Sequence, residues 1–156
     1  DVSPTAIAAA TEAARQRGLS HVTFVCADIT SFTGYDGQFA TIIDSTLFHS
    51  LPVDARDAYL SAIHRAAAPG ARLYVLVFAK GAFPPPHLET KPNEVDEDEL
   101  RAAVSKYFVI DDIRPAKIHS HKPAFADLPQ GAMPFDLDAK GRLMMPAYLL
   151  SAHKAG

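Results

Sequence analysis

The chain has 156 residues, 48% hydrophobic and 21% charged, and its 15 Lys+Arg against 18 Asp+Glu give a formal net charge of −3. That length fills the core of one domain and hardly two, and without a cationic field to hold a polyphosphate, nucleic acid is not an expected partner. A lone cysteine, Cys26, excludes an internal disulfide and a Cys-based zinc site and fits a reducing cytoplasm. The longest apolar run, Leu73 to Ala79, is too short to cross a bilayer, and no basic segment precedes an apolar one near the start, so neither a membrane span nor a signal peptide is expected.

Ser3-Pro4 reads as an N-cap followed by proline at the first helical position, and an Ala-rich stretch with Ile7, Ala10 and Ala14 at helical spacing predicts a helix from Pro4 to Arg17, stopped by Gly18. Val22-Thr-Phe-Val-Cys26 is β-branched and aromatic and too short for a helix, which predicts a buried strand with Cys26 as a small buried hydrophobe. Residues 30–38 have a loop composition, and Phe39 to Ser45 supplies a second strand with a polar C-terminal end. Val53-Asp54 opens a helix carrying Leu60, Ile63 and Ala67 on one face, and Pro69-Gly70 ends it before a buried strand from Arg72 to Ala79.

Four prolines and Gly81 make residues 80–93 a long surface loop. Asp96 and Glu99 have the spacing of a capping box, followed by an apolar face of Leu100, Ala103, Val104 and Tyr107. Phe108 to Ile118 and Ala147 to His153 are the last strand candidates, separated by a loop over residues 122–141. Helices alternating with strands and a final strand pair predict an α/β sheet, parallel at first and antiparallel at its end. Ligands in such sheets sit outside the C-terminal ends of the parallel strands. Attention therefore falls on Asp28, Asp44, Ser45 and the residues just after them.

Four segments in order, Asp1-Val-Ser-Pro4, Ala27-Asp28-Ile29, Asp44-Ser-Thr-Leu-Phe-His49 and Ala68-Pro-Gly70 before a hydrophobic strand, resemble those of the class I S-adenosylmethionine-dependent methyltransferases. The resemblance covers nearly the whole chain, taken as a single partial domain. It implies a Rossmann-like sheet of strand order 3-2-1-4-5-7-6 with strand 7 antiparallel, in which the last two strands here would be the sixth and seventh.

The resemblance also implies roles. Asp1 matches the acid that accepts from both ribose hydroxyls, a geometry two carboxylate oxygens suit, and Val2 would cover one face of the adenine. Asp28 would accept from the adenine amino group, with Ala27 beside it and the Ile29 N–H turned to a ring nitrogen. Asp44 would lie by the methionine part, and His49 near the transferring methyl as a general base for a hydroxyl or thiol. Each residue also has a plainer role: a helix-start acid for Asp1, a core valine for Val2, a turn-capping aspartate for Asp28, a strand-end acid bonded to neighbouring amides for Asp44, and a loop-ordering ring for His49.

His119 and His121 point to one face of a strand without a third metal ligand, His87 lies in the proline-rich loop, and the Glu94 to Glu99 cluster reads as a solvated helix start. The family's glycine-rich turn after its first strand is missing, because Gly34-Tyr-Asp-Gly37 has the wrong spacing and precedes a strand. The first two strands of the family therefore appear absent. The expectation is the C-terminal part of a longer enzyme that transfers methyl to a small-molecule acceptor held beneath the loops bearing Phe83, Phe125 and Phe135, and that binds cofactor poorly by itself. The competing expectation is a non-catalytic module that pairs its open sheet edge with a protein partner or a second copy of itself. A fragment of another Rossmann-like enzyme, such as a dehydrogenase, is a weaker third reading, since its fingerprint turn is missing too.

Overall fold

The computed structural model describes residues 1–83, 93–121 and 136–156. Helix α1 (Pro4–Gln16) starts where expected: Ser3 Oγ accepts from the Ala6 N–H at 3.2 Å and proline occupies the first turn. It ends one residue before the expected position, with Arg17 as its C-cap and Gly18 at a φ of +68° carrying the chain back, so that the Leu19 N–H reaches the Ala14 carbonyl at 3.0 Å. Only Ala14 of this helix is buried.

The expected strand at Val22–Cys26 does not form. Its main-chain partners are confined to the first two residues: Asp1 N donates to Val25 O at 3.2 Å, Ala27 N donates to Asp1 O at 3.0 Å, and the Cys26 thiol faces Val2 O at 3.7 Å. Val22, Phe24, Val25 and Cys26 are all exposed, so Cys26 is no buried hydrophobe either. A β-branched run holds strand geometry only when neighbours supply a ladder and a layer to pack against, and two residues of contact supply neither.

Strand β1 (Phe39–Ser45) forms with the expected bounds. A 3₁₀ turn over Phe48–Ser50 and another over Val53–Ala55 lead into α2 (Arg56–Ala66), which buries Arg56, Tyr59, Leu60, Ala62 and Ile63. Strand β2 (Ala67–Phe78) begins earlier than expected: Ala67 belongs to it and not to the helix, and Pro69-Gly70 lies inside it. Pairing passes from Phe39↔Ala67 directly to Thr41↔Arg72, so the Pro-Gly pair, with Gly70 at φ +72°, is bulged out rather than serving as a stop.

Helix α3 (Glu97–Val104) is capped by the Asp96 carboxylate, which accepts from the Glu99 N–H at 2.6 Å. The reciprocal half of the capping box is absent, because the Glu99 side chain turns instead to Arg56. Strands β3 (Val109–Ser120) and β4 (Leu143–His153) are both present and longer than expected. The sheet order is β1-β2-β4-β3, with β1 and β2 parallel and the other two pairings antiparallel, as the resemblance implies for strands 4-5-7-6.

Leu73, Val75 and Val77 of β2, with Leu150 and Ala152 of β4, face the apolar sides of α2 and α3, where Tyr59, Leu60, Ile63, Leu100 and Val104 complete the main core. Cross-strand partners share a face, so the partner of Val75, Asp44, is turned toward this core. Ile43, one residue away, points to the opposite side and is 74% exposed on an edge strand.

Candidate functional site

The polar end of β1 is held by a set of buried hydrogen bonds. Asp44 is 3% exposed, and its carboxylate accepts from the Leu47 N–H at 2.8 Å, the Phe48 N–H at 3.0 Å and the Tyr59 hydroxyl at 2.8 Å. Burial holds this carboxyl above its ordinary value, and the bonds from Tyr59, Leu47 and Phe48 work in the other direction. The same carboxylate raises the Tyr59 hydroxyl, already lifted by burial, further from ionisation. Asp44 thus fixes the turn that follows β1, which is the strand-end role weighed for it in the sequence.

His49, in that turn, is 2% exposed. Its Nδ1 lies 3.2 Å from the Phe78 N–H and accepts from it, which leaves the proton on Nε2, and its ring sits 4.7 Å from the Phe78 ring. Burial and the nearby Arg56 guanidinium push the imidazole down to about 4, so the ring is neutral at physiological pH. Arg56 is itself buried: Nε donates to Phe48 O at 3.2 Å, one terminal nitrogen pairs with Glu99 at 2.5 Å, and the guanidinium lies 4.6 Å from the centre of the Phe48 ring. One side chain therefore ties the turn after β1 to the first turn of α3.

Asp1, Val2, Ala27 and Asp28 come together at the second position. The main-chain bonds between Asp1 and Val25–Ala27 lay the two segments side by side, and each of the two acids keeps a carboxylate oxygen without a protein hydrogen bond among the described residues. Asp1 accepts from the Ser3 N–H at 2.8 Å through Oδ1 alone. Asp28 accepts from both the main-chain N–H and the hydroxyl of Thr30 through Oδ1, which holds it below the usual carboxylate range. Val2 is 68% exposed beside them. Open carboxylate oxygens near an exposed aliphatic side chain fit the hydroxyls and the ring of an adenosine group. Asp44 does not fit the ammonium of the methionine part directly, since its oxygens are already used inward. Ile29, with Phe32 and Ile42, packs against the main core and links the two groups of residues.

Among the described residues no cluster of three metal-ligating side chains exists. His119 pairs with Asp138 at 2.8 Å, and the Lys80–Asp96 and Arg101–Glu97 pairs account for much of the acidic run at the start of α3. Phe83 packs edge-on to Phe78 at 4.7 Å, whereas His87, Phe125 and Phe135 lie outside the described residues. No described helix is long and apolar enough to cross a membrane. An open cleft between α1 and residues 18–24 is lined by none of the site residues.

Two residues at the site escaped the sequence reading. Arg56 and Tyr59 share the helical spacing of Leu60 and Ile63, so periodicity alone put them on the buried face, and a charged group on such a face needs a partner. Thr46 lies in the segment already singled out, but its φ of +75°, alone among the described non-glycine residues in being positive, is visible only in the structure.

Comparison with known proteins gives the following. A family described as a methyltransferase domain matches residues 1–70. The 2-heptyl-1-hydroxyquinolin-4(1H)-one methyltransferase of Mycobacteroides abscessus is 51% identical over 155 residues, covering 99% of this chain and 67% of that protein. A chain solved in work on the conversion of a disulfide bond into a thioacetal group during echinomycin biosynthesis superposes with a TM-score of 0.77 at 28% identity, over 99% of this chain and 65% of that one. The 1,6-didemethyltoxoflavin-N1-methyltransferase of Burkholderia thailandensis, solved with 1,6-didemethyltoxoflavin and S-adenosylhomocysteine bound, shares the fold at a TM-score of 0.61 and 21% identity, over 94% of this chain and 56% of that one. The chain thus spans about two thirds of the length of the first two relatives.

Proposed function

The chain belongs to the class I S-adenosylmethionine-dependent methyltransferases, and from that premise we propose that it acts in methyl transfer to a small hydroxylated nitrogen heteroaromatic acceptor. The observation that carries this reading is the 51% identity to an enzyme named for a 1-hydroxyquinolin-4-one. S-adenosylmethionine, when bound, supplies a methyl group on a sulfonium sulfur, a centre already activated for displacement. The protein's share of the work is alignment of the acceptor and exclusion of water.

In this reading Asp1 and Asp28 offer their open oxygens to the ribose and the adenine amino group. Val2 and Ala27 flank the base, and the Ile29 N–H is available to a ring nitrogen. Asp44 serves through the turn it shapes at the strand end, where ligands of open α/β sheets sit. His49 was expected as a general base, but with Nδ1 accepting from Phe78 it has no free lone pair, and a neutral ring of such low basicity is a weak proton acceptor. The geometry favours the loop-ordering role. An N-hydroxyl conjugated through the ring to a carbonyl is acidic enough to reach the site ionised, so the proposed acceptor class needs no strong protein base.

The test is incubation of a form extended upstream in the source gene with S-adenosylmethionine and 2-heptyl-1-hydroxyquinolin-4(1H)-one, followed by mass spectrometry. A monomethylated product formed in equal amount with S-adenosylhomocysteine is expected. No methylation of this or related hydroxylated heteroaromatics contradicts the reading. A module that pairs an open sheet edge with another chain, the competing reading, predicts the negative result.

A further inference from the structure

The turn after β1 is strained at one residue. Six glycines among the described residues have positive φ, as expected where a turn demands that conformation, but Thr46 adopts a φ of +75° with a branched Cβ that disfavours it. The surrounding bonds over-determine the turn: the Thr46 N–H donates to Leu76 O at 3.0 Å, the Ser50 hydroxyl donates to Thr46 O at 2.8 Å, and the buried Asp44 carboxylate holds the next two amides. Glycine or asparagine would satisfy the same backbone at lower cost, so the geometry of the turn does not account for a threonine. What threonine adds is its side chain, and its hydroxyl makes no hydrogen bond among the described residues.

The surroundings indicate what that hydroxyl meets. Thr46 leaves the sheet at the C-terminal end of a parallel strand, next to exposed Leu47, and its N–H bond to Leu76 O sets it beside the end of β2, where half-buried Phe78 packs edge-on to half-buried Phe83 at 4.7 Å. Half-buried aromatic and exposed aliphatic side chains suit a flat apolar ring, and a free hydroxyl beside them can donate to an ionised oxygen carried on that ring. We infer that Thr46 touches the methyl acceptor, its hydroxyl donating to an acceptor oxygen, and that strain is retained at this position because the side chain is needed there.

This inference rests on the methyl-transfer reading, and the experiment separates the two. In a form extended upstream in the source gene, steady-state kinetics with S-adenosylmethionine and 2-heptyl-1-hydroxyquinolin-4(1H)-one are compared for wild type, Thr46→Val and Thr46→Ser, with S-adenosylmethionine affinity measured by calorimetry and thermal melting recorded for Thr46→Asn. Thr46→Val is expected to lower kcat/KM for the acceptor at least tenfold with cofactor affinity unchanged within twofold. Thr46→Ser should stay within threefold of wild type, and Thr46→Asn should melt no lower than wild type. An active wild type with an equally active Thr46→Val overturns the inference, as does a parallel loss of cofactor affinity or a several-degree drop in melting temperature for Thr46→Asn. A wild type that methylates no hydroxylated heteroaromatic overturns the functional reading, and the inference falls with it.

Discussion

At the level of single residues, His49 is the group whose burial has the clearest consequence for pH. Its imidazole titrates near 4 in the folded chain against an ordinary value near 6.5, so between those values the unfolded chain binds more protons than the folded one. Its contribution to stability is complete above about pH 6.5 and is lost as pH falls through about 4, amounting at most to about 3 kcal/mol. Asp44 acts in the opposite direction: its carboxyl is raised, so its contribution is largest at acid pH and declines as pH rises through its folded value. We expect His49→Gln to flatten the fall in stability between pH 6.5 and pH 4. Urea unfolding midpoints of both proteins at several pH values check this, and two parallel curves would contradict it. Neither shift is readable from the sequence, where His49 and Asp44 are simply five residues apart. What sets both is the register Asp44↔Val75, which turns the strand end toward α2.

The elements were legible to different degrees, and the reasons are physical. Helix α1 carries its own signals, a serine cap, a first-turn proline and a terminal glycine, so its bounds followed within one residue. The last two strands and β1 followed from composition because each finds a ladder partner over most of its length. Val22–Cys26 has as strong a β-composition as β1 and stays unpaired beyond Asp1 and Val2, because strand formation depends on neighbours that a local reading does not include. Ala67 and the Pro69-Gly70 pair were misassigned for a related reason: the partner strand draws the backbone into the sheet five residues before the expected start. Hydrogen exchange should reflect this contrast. Amides of residues 73–76, in the centre of β2 with a partner on each side, are expected to be protected by several orders of magnitude, and those of residues 22–25 to exchange close to the unfolded rate. Comparable protection in the two segments would contradict the described fold.

For the whole molecule, the order and spacing of Asp1-Val2, Ala27-Asp28-Ile29 and Asp44 to His49 pointed to the family before any coordinates. The β1-β2-β4-β3 order matches the sheet that this resemblance implies. The family's glycine-rich turn is not among the 156 residues, and the relatives are longer than this chain by about a third of their own length. The residues assigned to the adenosine end nevertheless lie together with their open oxygens, whereas the methionine end meets an Asp44 whose carboxylate is already engaged. The proposed role of this arrangement is to hold an S-adenosyl cofactor. The most direct measurement is calorimetric titration of S-adenosylhomocysteine into the chain and into a form extended upstream in the source gene. One-to-one binding in the micromolar range by the extended form, weaker or undetected in the 156-residue chain, is the predicted result. Absence of binding by both would contradict it.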